Sequence, residues 1–428
     1  MKRMILRQLW NQRRANGWIL VELVFVTFFL WQAIDPVYVL LSDKAIPDNY
    51  DLSDTYLLRV GEYQPGHRLY RQESAGDSLR RADYMRVVDK LKKYPGITHV
   101  AVAAGSGYPQ AGSYNGSTTS HDTIEVGVQD WVYLSGTDFM EVFRIRGLDG
   151  KVFPSASSGT DAYYVTENLA EKFFQGNPAS ARGGLIRFHG DSIDRYPVTD
   201  VVASIQTRTT AQPPYLLIHA QKEIGIRGLP FELVICFRVR DGLASPAFTE
   251  KFIQNMRSQL RIGNFYLFTL TDFETVSREL EQSFGTTGVL QLQTILASFC
   301  LFCAFLGMAG TFWLRGNARR SEVGLRMALG SSRSQIHRQF LTEAWILNTI
   351  GFLIGLILVF QYVYYKGFAN PNDTEIITQA YMQNRPIPHF LCVSGIVYLL
   401  MVMITFIGTW IPATRAANVH PSDALRDE

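Results

Sequence analysis

The spacing of its apolar runs constrains this chain most. Four stretches approach or exceed the roughly 20 residues that a helix needs to cross a bilayer. They are Trp18 to Ile34 (WILVELVFVTFFLWQAI), about Val289 to Leu314, Ala344 to Tyr365 and Phe390 to Ile411. A long polar stretch, Asp43–Gly288, separates the first from the second, and the last three follow one another closely. This pattern predicts a membrane protein of four transmembrane helices, with a large α+β extracytoplasmic domain inserted between helices 1 and 2. Composition fits a mixture of spans and polar domain. Charged residues are 18% of the chain, below the roughly 25% of soluble domains, while mean hydropathy is only +0.02. A net charge of +3 gives no footing for a nucleic-acid partner.

The expected division is a basic N-terminus at 1–17, a first span at 18–42 and the inserted domain with a stalk at 43–288. A second span at 289–314, a basic loop at 315–343 and a third span at 344–365 come next. A short loop at 366–389, a fourth span at 390–411 and a tail at 412–428 close the chain. The first span lacks a small-residue cleavage site and is flanked by Asp35-Pro36, so it reads as an uncleaved anchor. Lys and Arg in short flanks set orientation. Lys2, Arg3, Arg7, Arg13 and Arg14 precede span one without an acid. Arg315, Arg319, Arg320, Arg326, Arg333 and Arg338 follow span two against the single acid Glu322. Both termini and the 315–343 loop are therefore expected in the cytoplasm, and 43–288 outside.

Within 43–288, strands are expected at Thr55–Val60, Ile97–Ala103, Thr123–Val128, Tyr163–Val165, Tyr196–Ile205, Tyr215–Ile218 and Phe231–Val239. An amphipathic helix at Ser78–Tyr94 between the first two strands suggests a βαβ unit. Further helices are expected at Thr137–Phe143, Glu167–Phe174 and Pro246–Leu260, and a last one from about Phe273 is expected to run toward span two as a stalk. Tyr108–His121 (YPQAGSYNGSTTSH) reads as a mobile loop. Cys236 alone of the four cysteines lies in this domain, which excludes an internal disulfide there. Cys300-Leu-Phe-Cys303 has redox or metal spacing but lies in an apolar span with no second ligand pair, and reads as membrane-helix packing.

Catalytic motifs are not evident. The chain has no G-x-x-x-x-G-K-S/T phosphate loop, no H-E-x-x-H and no G-x-S-x-G. Leu134-Ser135-Gly136 reads as a turn and helix cap. His67, His99, His121, His189 and His219 are scattered. No catalytic residue, resident cofactor or metal is expected in this chain.

The informative stretch is ARRSEVGLRMALGSSRSQIHRQFLTEA, Ala318 to Ala344. Leu325, Ala328 and Leu329 share a helix face. Glu322 and Arg326 are spaced as a favourable i,i+4 pair. Gly330 stands where a helix ends in a left-handed turn, and Ser332-Arg333-Ser334-Gln335 fits a capping box with Gln in place of Glu. A second helix then carries Ile336 and Phe340 on one face into span three. A topogenic loop accounts for the arginines alone; a short helix with an apolar face suits docking into a groove on a partner. Two acids sit at span ends. Glu22, inside span one, is a candidate intramembrane functional group, or snorkels to the interface, or pairs with Arg13 or Arg14. Glu343, at the start of span three, is equally two-sided.

Arg320-Ser-Glu322-Val-Gly324-Leu-Arg326-Met-Ala328-Leu-Gly330, followed by Gln339-Phe340-Leu341-x-Glu343-Ala344, resembles the cytoplasmic motif of the MacB/FtsX-like ABC transporter permeases. Ile411-Pro412-Ala413-Thr414-Arg415-Ala416-Ala417, then Pro421-Ser-Asp-Ala424-Leu425-Arg426, resembles that family's tail. Val132–Val152 and Tyr164–Pro178 resemble its periplasmic core more weakly. The resemblance implies a permease subunit without a fused ATPase, in a bacterial inner (cytoplasmic) membrane. Arg319, Arg320, Glu322, Gly324, Leu325, Arg326, Ala328, Leu329 and Gly330 would form the coupling helix that docks on a cytoplasmic ABC ATPase. Glu322 and Arg326 would make its polar contacts and Leu325 and Leu329 its apolar ones. ATP and Mg would be bound by that partner. A second permease copy or related chain, membrane lipid and an extracytoplasmic adaptor or hydrolase are further implied partners. The implied role is export or extraction of a peptide, lipoprotein or amphipathic compound. The alternative is FtsX-like signalling to an outer partner such as a cell-wall hydrolase or sensor. A membrane-anchored enzyme is a third reading, without motif support.

Overall fold

The structure is a computed structural model. It describes residues 13–174, 176–188, 194–208, 213–223, 233–283, 285–318, 320–365 and 386–417, with the backbone alone at 13–16, 286–287, 289, 315–318, 320–322, 324 and 416–417. The chain forms two compact units, one helical and one containing residues 43–286.

The helical unit contains four helices long and apolar enough to cross a membrane: α1 (Arg13–Lys44), α7 (Thr286–Ala318), α9 (Arg333–Tyr365) and α10 (Pro386–Ala417). Each runs past its apolar window. Helix α1 continues beyond Ile34 and through Pro36, where the ring removes one amide donor but does not stop the helix. Leu23, Leu30, Ala304, Met308, Ala344, Leu347, Val393 and Val397 form its core. Ile295, Phe299, Ile357 and Leu399 are exposed, as lipid-facing residues are. The close approach of α1 and α9 rests on Gly351 and Gly355, a G-x-x-x-G pair on α9. A methyl group at either position would lie 2.6 Å from the Cβ of Leu23 or Thr27, so only glycine lets the two backbones come so near.

The unit containing residues 43–286 holds a ten-stranded sheet in the order β10-β1-β9-β2-β4-β3-β6-β7-β5-β8. Strands β1 (Thr55–Glu62), β2 (Ile97–Ala104), β9 (Leu233–Val239) and β10 (Phe265–Asp272) form one half. Both β1 and β2 are antiparallel to the intervening β9. Helix α2 (Asp77–Lys92) therefore makes a split βαβ crossover, and α5 (Pro246–Gln259) repeats it between β9 and β10. Strand β9 is buried on both faces. Leu233, Ile235, Phe237 and Val239 pack with Val87, Val88, Leu91, Phe252 and Met256 of α2 and α5. Val234 and Cys236 point the other way, into a cluster with Phe139, Phe143 and Phe273.

The other half contains β3 (Asn115–His121), β4 (Ile124–Leu134), β5 (Ala162–Thr166), β6 (Leu185–Phe188), β7 (Tyr196–Val202) and β8 (Leu216–Gln221). Because β8 also pairs with β4, these six strands close on themselves. Short helices α3 (Phe139–Val142) and α4 (Glu167–Phe173) pack beside them. The 108–121 segment differs from the expected loop. Residues 115–121 are a strand paired along their length with β4; cross-strand pairing outweighs the turn-like composition of NGSTTSH. The helix expected from about Phe273 is present as Phe273–Ser283. Helix α6 (Phe273–Ser283) ends before Gly285, whose φ is +66°, and α7 begins at Thr286.

Candidate functional site

The site grows from the turn between α7 and α9. Residues Arg320–Ala328 are helical (α8). Gly330 has φ +97°. Its amide donates to the carbonyl of Met327, and the Ser331 amide donates to that of Arg326, each at 3.0 Å. That pair of bonds is a Schellman motif, for which a residue without Cβ is suited. The capping box forms as the sequence predicts. Ser332 N donates to Gln335 Oε1 at 3.0 Å, and Gln335 N donates to Ser332 Oγ at 3.3 Å. Helix α9 starts at Arg333 and carries Ile336 and Phe340 into the core without a break.

A hydrogen-bond chain then fixes α8 to α9. Arg326 donates to Gln339 Oε1 at 2.7 Å, and Gln339 Nε2 donates to Glu343 Oε1 at 3.2 Å. Arg326 thus faces α9, where the sequence reading gave it a partner-facing role. The two halves of the R-x-E-x-G-x-R and Q-F-L-x-E-A motif meet as one structural element. Glu343 is only 1% exposed, and the chain from Arg326 gives it a definite intramolecular role.

Val323 is buried in the helical core, whereas Leu325 is 52% and Leu329 80% exposed, with Ala328 exposed between them. Helix α8 therefore turns one apolar residue inward and presents two leucines outward. Arg319 and the C-terminal Pro421–Arg426 motif lie outside the described residues. Of Arg320, Glu322 and Gly324 the helical backbone alone is described. Close by in sequence, the Arg415 guanidinium stacks 4.4 Å from the Trp313 ring, and His337 meets Trp410 edge-on at 4.7 Å, so α7, α9 and α10 are held together by aromatic contacts.

The Glu22 carboxylate is turned toward α7. A methyl group at Gly307 would overlap Glu22 Oε1, so this acid rests on the bare backbone of a neighbouring span. No hydrogen bond or ion pair reaches it among the described residues. Sequence reasoning missed a second acid. Asp35, in the same helix, accepts from His389 Nε2 at 2.5 Å; His389 is fully buried and its ring meets that of Tyr38 edge-on at 5.3 Å. A histidine at the start of one apolar run and an aspartate at the end of another are the available signal. Trp31 Nε1 donating to Ser394 Oγ at 3.3 Å extends this α1–α10 seam. Among the described residues, no three His, Cys, Asp or Glu side chains are grouped to hold a metal ion.

The described residues thus give four candidate spans, with the 43–286 domain between the first and second. Residues 294–421 match the FtsX-like permease C-terminal family. The chain is 25% identical over 296 residues to the macrolide export ATP-binding/permease protein MacB of Escherichia coli, which covers 67% of this chain and 42% of that protein. It is 29% identical over 163 residues to the uncharacterized ABC transporter permease YvrN of Bacillus subtilis, covering 38% and 36% of the two chains. The chain thus spans less than half the length of these relatives. The periplasmic region of MacB from Actinobacillus actinomycetemcomitans aligns with 54% of this chain and 94% of its own, at 12% identity and a TM-score of 0.32. Residues 294–421 are thus an FtsX-like permease C-terminal domain, and the chain as a whole is similar to MacB-type ABC transporter permeases.

Proposed function

We propose that this chain is the permease subunit of an ABC transporter whose ATP hydrolysis takes place in a separate cytoplasmic subunit. Helix α8 is the coupling helix of that assembly. In this reading the termini and α8 face the cytoplasm of a bacterial cell, and the 43–286 domain faces outward. Two permease chains, identical or related, act with the ATPase. ATP-driven closure of the ATPase pushes α8, the Arg326–Gln339–Glu343 chain passes the displacement to α9, and the bundle conveys it to the outer domain. The cargo class is a peptide, lipoprotein or amphipathic compound that is exported or extracted from the membrane.

The observation that carries this reading is the pair of exposed leucines on a helix tied firmly to its neighbour. Leu325 and Leu329 stand outward while the Gly330 turn and the Ser332–Gln335 box fix the start of α9. A short rigid helix with outward apolar side chains is suited to an apolar groove on a partner. The test is purification of the full chain from its native membrane, with measurement of co-purifying ATPase activity beside a Leu325→Asp variant. Loss of the ATPase at unchanged permease yield is the expected result. An ATPase retained by the variant would remove α8 from the interface, and none in the native sample would overturn the subunit role.

A further inference from the structure

The unit containing residues 43–286 carries a charged groove that the coupling role does not use. Helices α2 and α5 pack on one face of the β10-β1-β9-β2 half-sheet, and an open groove of about 1100 Å³ runs between them. Tyr94, Leu243 and Phe248 supply apolar lining. Arg86, Lys90, Lys93 and Lys251 supply four cations, and Asp89 is the single acid among the lining residues.

The cations are arranged rather than scattered. Residues 86, 90 and 93 are spaced four and three apart, which places them on one stripe of α2 and its C-terminal cap. Lys251 faces them from α5. Arg86 is matched by Asp83 at 2.6 Å, and Lys90 reaches Gln259 Oε1 at 3.4 Å across the groove. Lys93 and Lys251 make no ion pair among the described residues. The stripe runs seven steps along the helix, from Arg86 to Lys93, roughly 10 Å at 1.5 Å per residue.

We infer that this groove docks an acidic amphipathic helix from a protein in the same compartment as the 43–286 domain. Carboxylates at i, i+4 and i+7 of that helix match the stripe, and the adjoining apolar side chains rest on Tyr94, Leu243 and Phe248. This is helix-in-groove recognition with charge complementarity setting register. A flat anionic membrane would meet the rim lysines but not the recessed rings of Tyr94 and Phe248, which are part-buried between two helix walls. The inference stands whether or not α8 binds an ATPase.

The test uses the full chain in nanodiscs of zwitterionic phosphatidylcholine. The probe is a fluorescent 18-residue helical peptide with a Glu stripe at i, i+4 and i+7 beside a Leu stripe. Two control peptides replace Glu by Lys, or Leu by Gln. Expected are micromolar binding of the Glu/Leu peptide that weakens as salt rises, and at least tenfold weaker binding to Lys90→Glu/Lys93→Glu/Lys251→Glu. That variant gains affinity for the Lys peptide, a swap that a misfolded domain cannot produce. Leu243→Ser weakens the Glu/Leu peptide several-fold without the swap. Retained affinity in the triple variant, or equal binding of the Gln peptide, would overturn the inference. Displacement of the peptide by adding phosphatidylglycerol to the discs would assign the cations to lipid instead and overturn it too.

Discussion

The two units of this protein bury charge in different ways. In the 43–286 unit, Arg238 is 1% exposed, yet its guanidinium is well supplied with acceptors. It donates to the carbonyls of Val142, Ser53 and Asp51 at 2.7, 2.8 and 2.5 Å, and the Asp51 carboxylate lies 3.5 Å away. A loop and the C-terminal end of α3 bring those carbonyls to it. The bundle has few spare carbonyls, because each helix uses its own in its ladder. Short hydroxyls such as Thr27 and Thr349 share a carbonyl one turn back, at Leu23 and Trp345. Longer polar groups have to find one another across helices, as Asp35 finds His389 and Arg326 reaches Glu343 through Gln339. A buried charge in the 43–286 unit pins a loop and a helix end to a strand; in the bundle it ties particular helices together.

The largest effect expected from this contrast is at Arg238. Arg238→Met leaves three buried carbonyls without their donor, while Asp51 keeps Arg144 at 3.0 Å, and the loss is expected to cost about 3–5 kcal/mol. Amide-exchange protection of β9 in the full chain measures it. A loss under about 1 kcal/mol would mean that water replaces the guanidinium and that the loop and helix end are not pinned.

Next come the bundle glycines. Gly351→Ala and Gly355→Ala each put a methyl against the root of a side chain on α1, so the helices must separate, at about 1–3 kcal/mol each. Gly395→Ala is the control: nothing lies within 4 Å of its Cβ, and the better helix propensity of alanine leaves it neutral or slightly stabilising. Thermal unfolding of the three variants in one detergent separates them, and equal melting temperatures would show that α1 and α9 are not in close backbone contact.

Legibility in the sequence tracks the range of the interactions. The four spans, the Gly330 turn and the Ser332–Gln335 box depend on residues within a few positions of one another, and the sequence displays them directly. The sequence shows the R-x-E-x-G-x-R and Q-F-L-x-E-A motif, but what links its Arg326, Gln339 and Glu343 is tertiary contact, so spacing alone places Arg326 outward. Strand β3 has the composition of a loop and is a strand through its pairing with β4. Asp35 and His389 lie 354 positions apart, beyond any periodicity argument. The G-x-x-x-G of Gly351 and Gly355 was within reach of spacing rules and marks a helix contact that hydropathy alone conceals.

A smaller effect belongs to His219 on β8. Burial lowers its pKa from 6.5 to about 4, with Asp161 opposing the shift in part; the ring stacks on that of Tyr163 at 4.2 Å. The unfolded chain takes up the proton first, so the contribution is at full strength above about pH 6.5. Stability is then lost as pH falls through 6.5 and levels off below about 4. With partial exposure, the loss expected is roughly 1–2 kcal/mol. Unfolding of the full chain between about pH 7 and pH 4 measures it, and His219→Gln should flatten the profile. An unchanged slope in that variant would place the titration elsewhere.

The smallest effect is the most informative about the bundle. Asp35→Asn and His389→Gln each disturb the buried pair, and their double-mutant cycle isolates the coupling between the two side chains. A buried pair in the 43–286 unit would lose about 3–5 kcal/mol when broken. Across membrane helices the expected coupling is nearer about 0.6–1.7 kcal/mol, because helices that have separated within the membrane also find polar partners. The edge-on contact with Tyr38 persists in Asp35→Asn, so a cycle that starts from this variant keeps the ring environment constant. A coupling of about 3 kcal/mol or more would break the distinction between the units: the end of the bundle where α1 leaves for the 43–286 domain would then be sealed as tightly as a protein core. A value near about 1 kcal/mol would make the pair a weak, reversible clasp between α1 and α10, which suits a bundle that has to shift its helices without unfolding.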